Sequence, residues 1–459
     1  MPKTLPFHIN TPQPARRRFL RTVAAGLLGT GASLKIGRGV SAVSAWTGQS
    51  TNSVLNQAKP MAGKNDLRIT KVDPYIVRFS NDASGAPTGN YCLLCRIETA
   101  DGIVGWGEGT NFPKVATIAT EIEMNRSAVI GQSAWDIEKI WYDLSRSRAA
   151  MHGSSVQSAI SAIDIALWDI VGQKLGVPVY RLLGGKVNEK LRYYRSGGLG
   201  NVRTPDAYRQ ATKQMVADGS IAVKFDPFGR AEGETLATSL NRDVTLHELG
   251  EAIGLVRGIR EGGPEFEICL DVHAKFNTAG AIRVAKALEP YNVMFLEEPI
   301  LSEQADALRA VQAATSTPIA SGERLKSRFQ MYEYIEKDAI RLYQPDAARI
   351  GGITEFRKAV SVAETHFIPF QPHNPNGAVC LAAHLHLATS SANFSILEQG
   401  RLYPNDQKDL ALLRQLFGAW QASPAYFWAP ERPGLGITLS AEFMKEHSVD
   451  IATAERNSQ

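Results

Sequence analysis

Six short apolar runs in the second half of this 459-residue chain each end on an ionisable side chain, 23–27 residues apart: Asp271, Glu297, Glu323, Asp346, His373 and Glu398. Asp271, Glu297 and Glu323 end three successive runs. Three carboxylates brought together would repel and lose their charge unless a cation lay among them. An all-carboxylate set with open positions suits Mg2+. His273 stands two residues beyond Asp271. Residues i and i+2 of a strand share a face, so both are expected in one cavity. Asp346 and His373 end neighbouring runs, and a carboxylate bonded to an imidazole fixes its tautomer and raises its basicity. Two histidines flanking a cation site could serve as a base and an acid. Lys224 and Asp226 close an earlier run, Lys224 placed to bind a substrate carboxylate and Asp226 to neutralise it; a plain strand-end ion pair is the other reading. His384 and His386 read as helix-packing residues.

These residues need a scaffold that collects strand ends. Each apolar run has the length of a buried parallel strand, and each interval leaves room for one helix and its loops. With strands at 191–196 and 221–225 the units number eight, enough to close a barrel whose C-terminal strand ends ring one mouth. The preceding block differs. It has strands at 67–80, 90–99 and 103–108, the last two joined by a hairpin at Ala100-Asp101-Gly102. A helix at 155–175 follows, ended by Gly176 and Pro178. Residues 401–459 hold a helix at 409–421 and a Pro/Gly-rich stretch, and are expected to pack back on the first domain. The expected division is therefore 1–45 signal, 46–66 linker, 67–190 α+β domain, 191–400 barrel and 401–459 C-terminal segment.

Composition is that of a globular protein, 44% hydrophobic and 21% charged, too apolar for disorder. The formal net charge of +4 comes from residues 1–45, which carry seven basic residues and no acidic one. The rest of the chain is mildly acidic, which argues against nucleic-acid binding. Arg16-Arg17-Arg18-Phe19-Leu20-Arg21 precedes a Gly/Ala-rich apolar stretch, and Val43-Ser44-Ala45 offers small residues for cleavage. This resembles a twin-arginine signal, which predicts a partnership with that export machinery and a periplasmic location. The stretch is too short and Gly-rich for a stable membrane anchor. Of the four cysteines, Cys92 and Cys95 are three apart on one strand, on opposite faces, so a bridge between them is disfavoured.

From about residue 67 to 400 the chain resembles the enolase superfamily, specifically its mandelate racemase-like branch. The resemblance rests on 162–169, 177–185, Leu270-Asp271-Val272-His273, Phe295-Leu296-Glu297-Glu298-Pro299, Ser321-Gly322-Glu323, Gln344-Pro345-Asp346, 351–354, Pro372-His373-Asn374 and Ile396-Leu397-Glu398. It implies an α/β fold, a modified (β/α)7β TIM-like barrel under an α+β capping domain. It also implies Mg2+ at Asp271, Glu297 and Glu323, and abstraction of the proton next to a carboxylate to give an enediolate. Racemases of the branch commonly place a second lysine where this chain has Asp226. The Asp271–His273 pair with the His373–Asp346 dyad looks instead like the sugar-acid dehydratases, such as galactonate dehydratase. In that reading His373, oriented by Asp346, takes the alpha proton and His273 protonates the departing hydroxyl. Glu398, protonated, donates to the enediolate, and the product is a 2-keto-3-deoxy acid. A racemase or epimerase using both histidines as bases, and a non-catalytic binding protein, are the competing readings. The family is often oligomeric. Specificity is expected from residues 227–246, including Arg230, Glu232, Glu234, Asn241 and Arg242, and from residues near 81–90.

Overall fold

The computed structural model describes residues 67–79, 91–146, 153–228, 240–400, 402 and 406–456. The expected signal, the linker, the whole 81–90 loop and Arg230, Glu232 and Glu234 lie outside the described residues. The capping region opens with β1 (Ile69–Arg78), β2 (Tyr91–Thr99) and β3 (Val104–Glu108), an antiparallel meander. Cys92 packs in the main core and Cys95 in the capping core, so the two thiols face opposite sides of β2 and form no disulfide with each other. Helix Ser154–Leu175 packs against the meander. It ends where Gly176 takes a left-handed conformation, with Pro178 beyond, the combination that stops a helix.

The barrel strands are β4 (Leu191–Ser196), β5 (Ala222–Phe225), β6 (Glu267–Asp271), β7 (Phe295–Glu297), β8 (Ile319–Ser321), β9 (Leu342–Tyr343) and β10 (Leu397–Gln399). They pair in parallel in the order β10-β4-β5-β6-β7-β8-β9. Helices between them begin on side-chain caps: Thr204 before Pro205, the Thr245/Glu248 capping box, Asn277 and Ser327, each satisfying N–H groups the helix leaves unpaired. Tyr194, Ala222, Cys269, Phe295, Ala320, Leu342 and Ile396 fill the barrel interior. The larger core lies between the strands and their helices.

The run at 367–373 differs from the expected strand. It contributes single bridges at Phe370, one to Tyr343 and one to Phe394, and these close the curled sheet. Proline explains the thinness. Pro345, Pro369 and Pro372 have no N–H to donate and cannot continue a ladder. The C-terminal segment divides. β11 (Tyr426–Phe427) pairs with β4 of the barrel, while β12 (Ser448–Val449) pairs with β1 of the capping sheet. Among the described residues no helix is long and apolar enough to cross a membrane.

Candidate active site

Asp271 and Glu297 are register partners on β6 and β7, so their carboxylates leave the sheet at one level. Glu323 follows β8 after Gly322, whose φ is +152 and whose hypothetical Cβ would lie 2.7 Å from the Gln344 amide nitrogen. Only glycine lets the chain pass there, and the pass delivers Glu323 to the mouth. Lys224, almost fully buried at the end of β5, places Nζ 3.1 Å from Asp271, 2.9 Å from Glu297 and 2.9 Å from Glu398. One ammonium thus serves three carboxylates.

That is too little positive charge. Glu297 is completely buried, and its Oε1 has no hydrogen-bond partner. Burial raises its pKa, Asp271 adds to the rise, and Lys224 only partly offsets it. Hard oxygen donors, an orphaned buried oxygen and a carboxyl short of counter-charge fit a divalent cation held by Asp271, Glu297 and Glu323. Asp346, Cys380 and His384 also offer ligand atoms, all within 4.8 Å of one another. By spacing this group could hold an ion, but its lone pairs are engaged. His384 Nε2 accepts the Ala347 N–H and Nδ1 faces the Asn374 carbonyl oxygen. Burial pushes the Cys380 thiol well up, away from the thiolate a metal needs.

His373 and Asp346 form the expected dyad, Nδ1 to Oδ2 at 2.9 Å. Asp346 also accepts from the Ala348 N–H at 2.8 Å and from Asn376 Nδ2 at 2.9 and 3.0 Å. Burial opposes its charge, but the His373 hydrogen bond and Arg349 win and hold its pKa down to about 2. Nε2 of His373 rests 2.7 Å from Glu323. Burial works against an imidazolium, yet Glu323 and Asp346 push His373 up to about 10. Glu323 itself is held low by His373 and Arg349 in spite of burial.

His273 reaches the same mouth by a route the strand rule did not anticipate. β6 ends at Asp271, and His273 and Ala274 take left-handed φ of 49° and 59°. The ring then lies 3.4 Å from Asp271 and 3.3 Å from Asp226, half exposed. Burial lowers its pKa, and the two carboxylates more than reverse that, to about 9.

Two expected roles change. Asp226 does not neutralise Lys224; it bonds Lys275 and His273. Glu398 is no donor. Lys224 and the Asn374 N–H both donate to it, and Lys224 holds it ionised against its burial. The donor at that point is Lys224. Arg349 and Asn376 were missed. Each stands three residues beyond a dyad member, Arg349 on the next helix and Asn376 in the loop after His373, and that spacing was their only signal.

The side chains of Lys224, Asp226, Asp271, His273, Glu323, His373 and Glu398 line one cavity of about 610 Å³, with Thr110 and Phe112 of the capping region across it. A larger hollow of about 770 Å³ lies beside the capping sheet, lined by Tyr75, Trp106, Arg96 and Arg432. Arg432 spends its guanidinium on the carbonyls of Gly436 and Leu416, so the chemistry belongs to the smaller cavity. His384 and His386 are packing residues, fully buried and held near pKa 4 by burial.

A parallel barrel under an α+β cap, with carboxylates and a His–Asp pair on its strand ends, defines an enolase-type scaffold. The chain belongs to the enolase superfamily, in its mandelate racemase/muconate lactonizing branch. Residues 206–443 match the enolase C-terminal domain-like family, and residues 79–184 match the mandelate racemase/muconate lactonizing enzyme N-terminal domain. It is 30% identical to a D-gluconate dehydratase of Thermoproteus tenax over 83% of this chain and 74% of that one. It is 34% identical to a D-galactonate dehydratase of Pectobacterium atrosepticum over 78% and 91%. The crystal structure of a mandelate racemase/muconate lactonizing enzyme from Jannaschia sp. CCS1 superposes with a TM-score of 0.74 at 28% identity, covering 83% and 98% of the two chains.

Proposed function

We propose that the protein is a Mg2+-dependent hydro-lyase that removes water from a sugar acid to give a 2-keto-3-deoxy acid. The observation that carries it is the pair of imidazoles in one cavity, each fixed by carboxylates, where position 226 offers a carboxylate and no lysine base. The dehydratase relatives support the same reading.

Asp271, Glu297 and Glu323 would hold Mg2+, which when bound supplies positive charge where the substrate carboxylate becomes more negative. Lys224 adds a fixed cation at the same point, buried and preorganised. His373 has Nδ1 committed to Asp346, so Nε2 is the nitrogen that takes the alpha proton, once Glu323, whose charge holds that nitrogen protonated here, is engaged in holding the metal instead. His273, held as an imidazolium between Asp226 and Asp271, gives its proton to the departing beta-hydroxyl. The enol left behind ketonises.

A panel of aldonic and uronic acids, incubated with protein and Mg2+ in D2O, tests this. Formation of a 2-keto-3-deoxy acid is expected. Deuterium entering recovered substrate without loss of water would instead identify a racemase or epimerase, and no turnover across the panel would sink the reading. We also propose export by the twin-arginine route, on the strength of Arg16-Arg17-Arg18 and the small residues before Trp46. Recovery of the protein only from the cytoplasm, with residues 1–45 retained, would overturn that.

A further inference from the structure

We propose that Glu108, in the capping region, is a positioning residue for His373: it fixes the loop that carries Asn376 and, through Asn376, the Asp346–His373 pair. The inference rests on the base role given to His373 above.

Helix Ala378–Ser390 begins at Gly377, which has no side chain to cap it. The cap comes from the other region. Glu108, completely buried at the end of β3, accepts the Gly377 N–H on Oε1 at 2.7 Å and the Cys380 N–H on Oε2 at 2.8 Å. A carboxylate at a helix N-terminus satisfies orphaned donors and complements the helix dipole. Thr110, which lines the catalytic cavity, donates to the same Oε1 at 2.6 Å.

The approach is close by design of the sequence. A Cβ at Gly377 would sit 2.4 Å from the Phe79 ring and 3.0 Å from Cys92 Sγ, so glycine alone lets the capping sheet meet the loop. Asn376 is the residue before it. Its amide nitrogen donates to both oxygens of Asp346 and approaches Cys380 Sγ at 3.4 Å. Glu108 therefore grips the backbone immediately after Asn376, at Gly377 and again at Cys380, and so holds the turn from which Asn376 reaches the dyad. All members are buried, and inside a protein such a hydrogen-bonded chain holds its shape because breaking one link strands a polar group.

The test uses the full-length protein with Mg2+ and reads the low-field proton resonance of the His373 Nδ1–H, identified by its loss in His373→Gln. Glu108→Gln replaces one of the two accepting oxygens with an NH2 group, which opposes the Gly377 or the Cys380 N–H instead of accepting it. It is expected to shift or broaden that resonance, as Asn376→Ala does, and the double variant should add little to either. With an active substrate, kcat falls about 10- to 100-fold, the range for residues that orient active-site groups, while KM moves little. Glu108→Asp, which keeps the charge, should restore part of both signals and serves if Glu108→Gln does not fold. An unchanged resonance in a folded Glu108 variant overturns the proposal, as does additivity with Asn376→Ala. If no substrate turns over, the dehydratase reading fails on its own, and the resonance still reports on Glu108.

Discussion

Asp271, Glu297 and Glu323 follow three successive barrel strands, and Asp346, Cys380 and His384 form a second cluster beside them, reached through His373. The second set is the one whose ligand atoms already lie within 4.8 Å of one another. Proximity alone would choose it. Yet its acceptors are taken by backbone amides, Asn376 and His373, and its histidine is held neutral by burial. The first set has an oxygen with no donor, and its Asp271 and Glu297 share one lysine with Glu398. A cation site is marked by unmet demand for positive charge, and a packed polar core by its absence.

The largest effect should come from cutting that demand. Glu297→Gln is expected to lower turnover by about 10^3-fold or more, since charge stabilisation at such a site is worth several kcal/mol. Titration calorimetry with Mg2+ should find binding weakened in the same variant, and Cys380→Ala should bind as the parent does. If Cys380→Ala loses the ion and Glu297→Gln keeps it, the two sets have been assigned the wrong way round.

Separating base from metal sharpens the contrast. His373→Asn should cost turnover about 10^2- to 10^4-fold, the span for a positioned general base, with Mg2+ binding spared. Full activity would remove His373 from the chemistry. A finer cut distinguishes the two histidines. His273→Asn is expected to slow water loss by a similar factor while alpha-proton exchange with D2O continues. If both rates fall together, His273 is not a dedicated acid.

The smallest effect tests the packed histidines. Burial keeps His384 and His386 near pKa 4, below the unfolded value near 6.5. The unfolded chain binds protons that the folded chain refuses, so their contribution is complete above pH 6.5 and is lost as pH falls toward 4. Between pH 7 and pH 5 each should cost roughly 2 kcal/mol of stability. Urea unfolding of His386→Phe should show a shallower pH slope than the parent; an equal slope would mean that His386 takes up a proton in the folded state.

The positions of the site residues were legible because a barrel turns a repeated one-dimensional pattern, an apolar run and then a charge, into a ring. Asp271, Glu297, Asp346 and Glu398 were found that way. Partnerships were less legible. Asp226 was matched with Lys224 because they are two apart on one strand, but Asp226 turns to Lys275 and His273 from across the sheet. Glu398 was expected to donate, and β5, two strands away, and the loop after His373 supplied Lys224 and the Asn374 amide to make it an acceptor. His273 reached the cavity through a left-handed turn that no alternation rule describes. Charge partners and turns depend on what lies beside a residue in space, which spacing along the chain encodes only for the strands themselves.

The seventh barrel position, bridged at Phe370, bears on how this scaffold could change its chemistry. A strand locked in a full ladder transmits any insertion as a register slip that turns its side chains to the other face. The segment from 367 to 373 is held to both neighbours by backbone bonds: Tyr343 to Pro369, Gln371 to Tyr343 and His373 to Pro345 on one side, Phe370 to Asn393, Ser395 to Phe370 and Glu398 to Pro372 on the other. A residue gained or lost between Phe370 and His373 would break the His373 bond to Pro345 and the Glu398 bond to Pro372 together, so the aim of the imidazole is tied to the strand ends on either side of it.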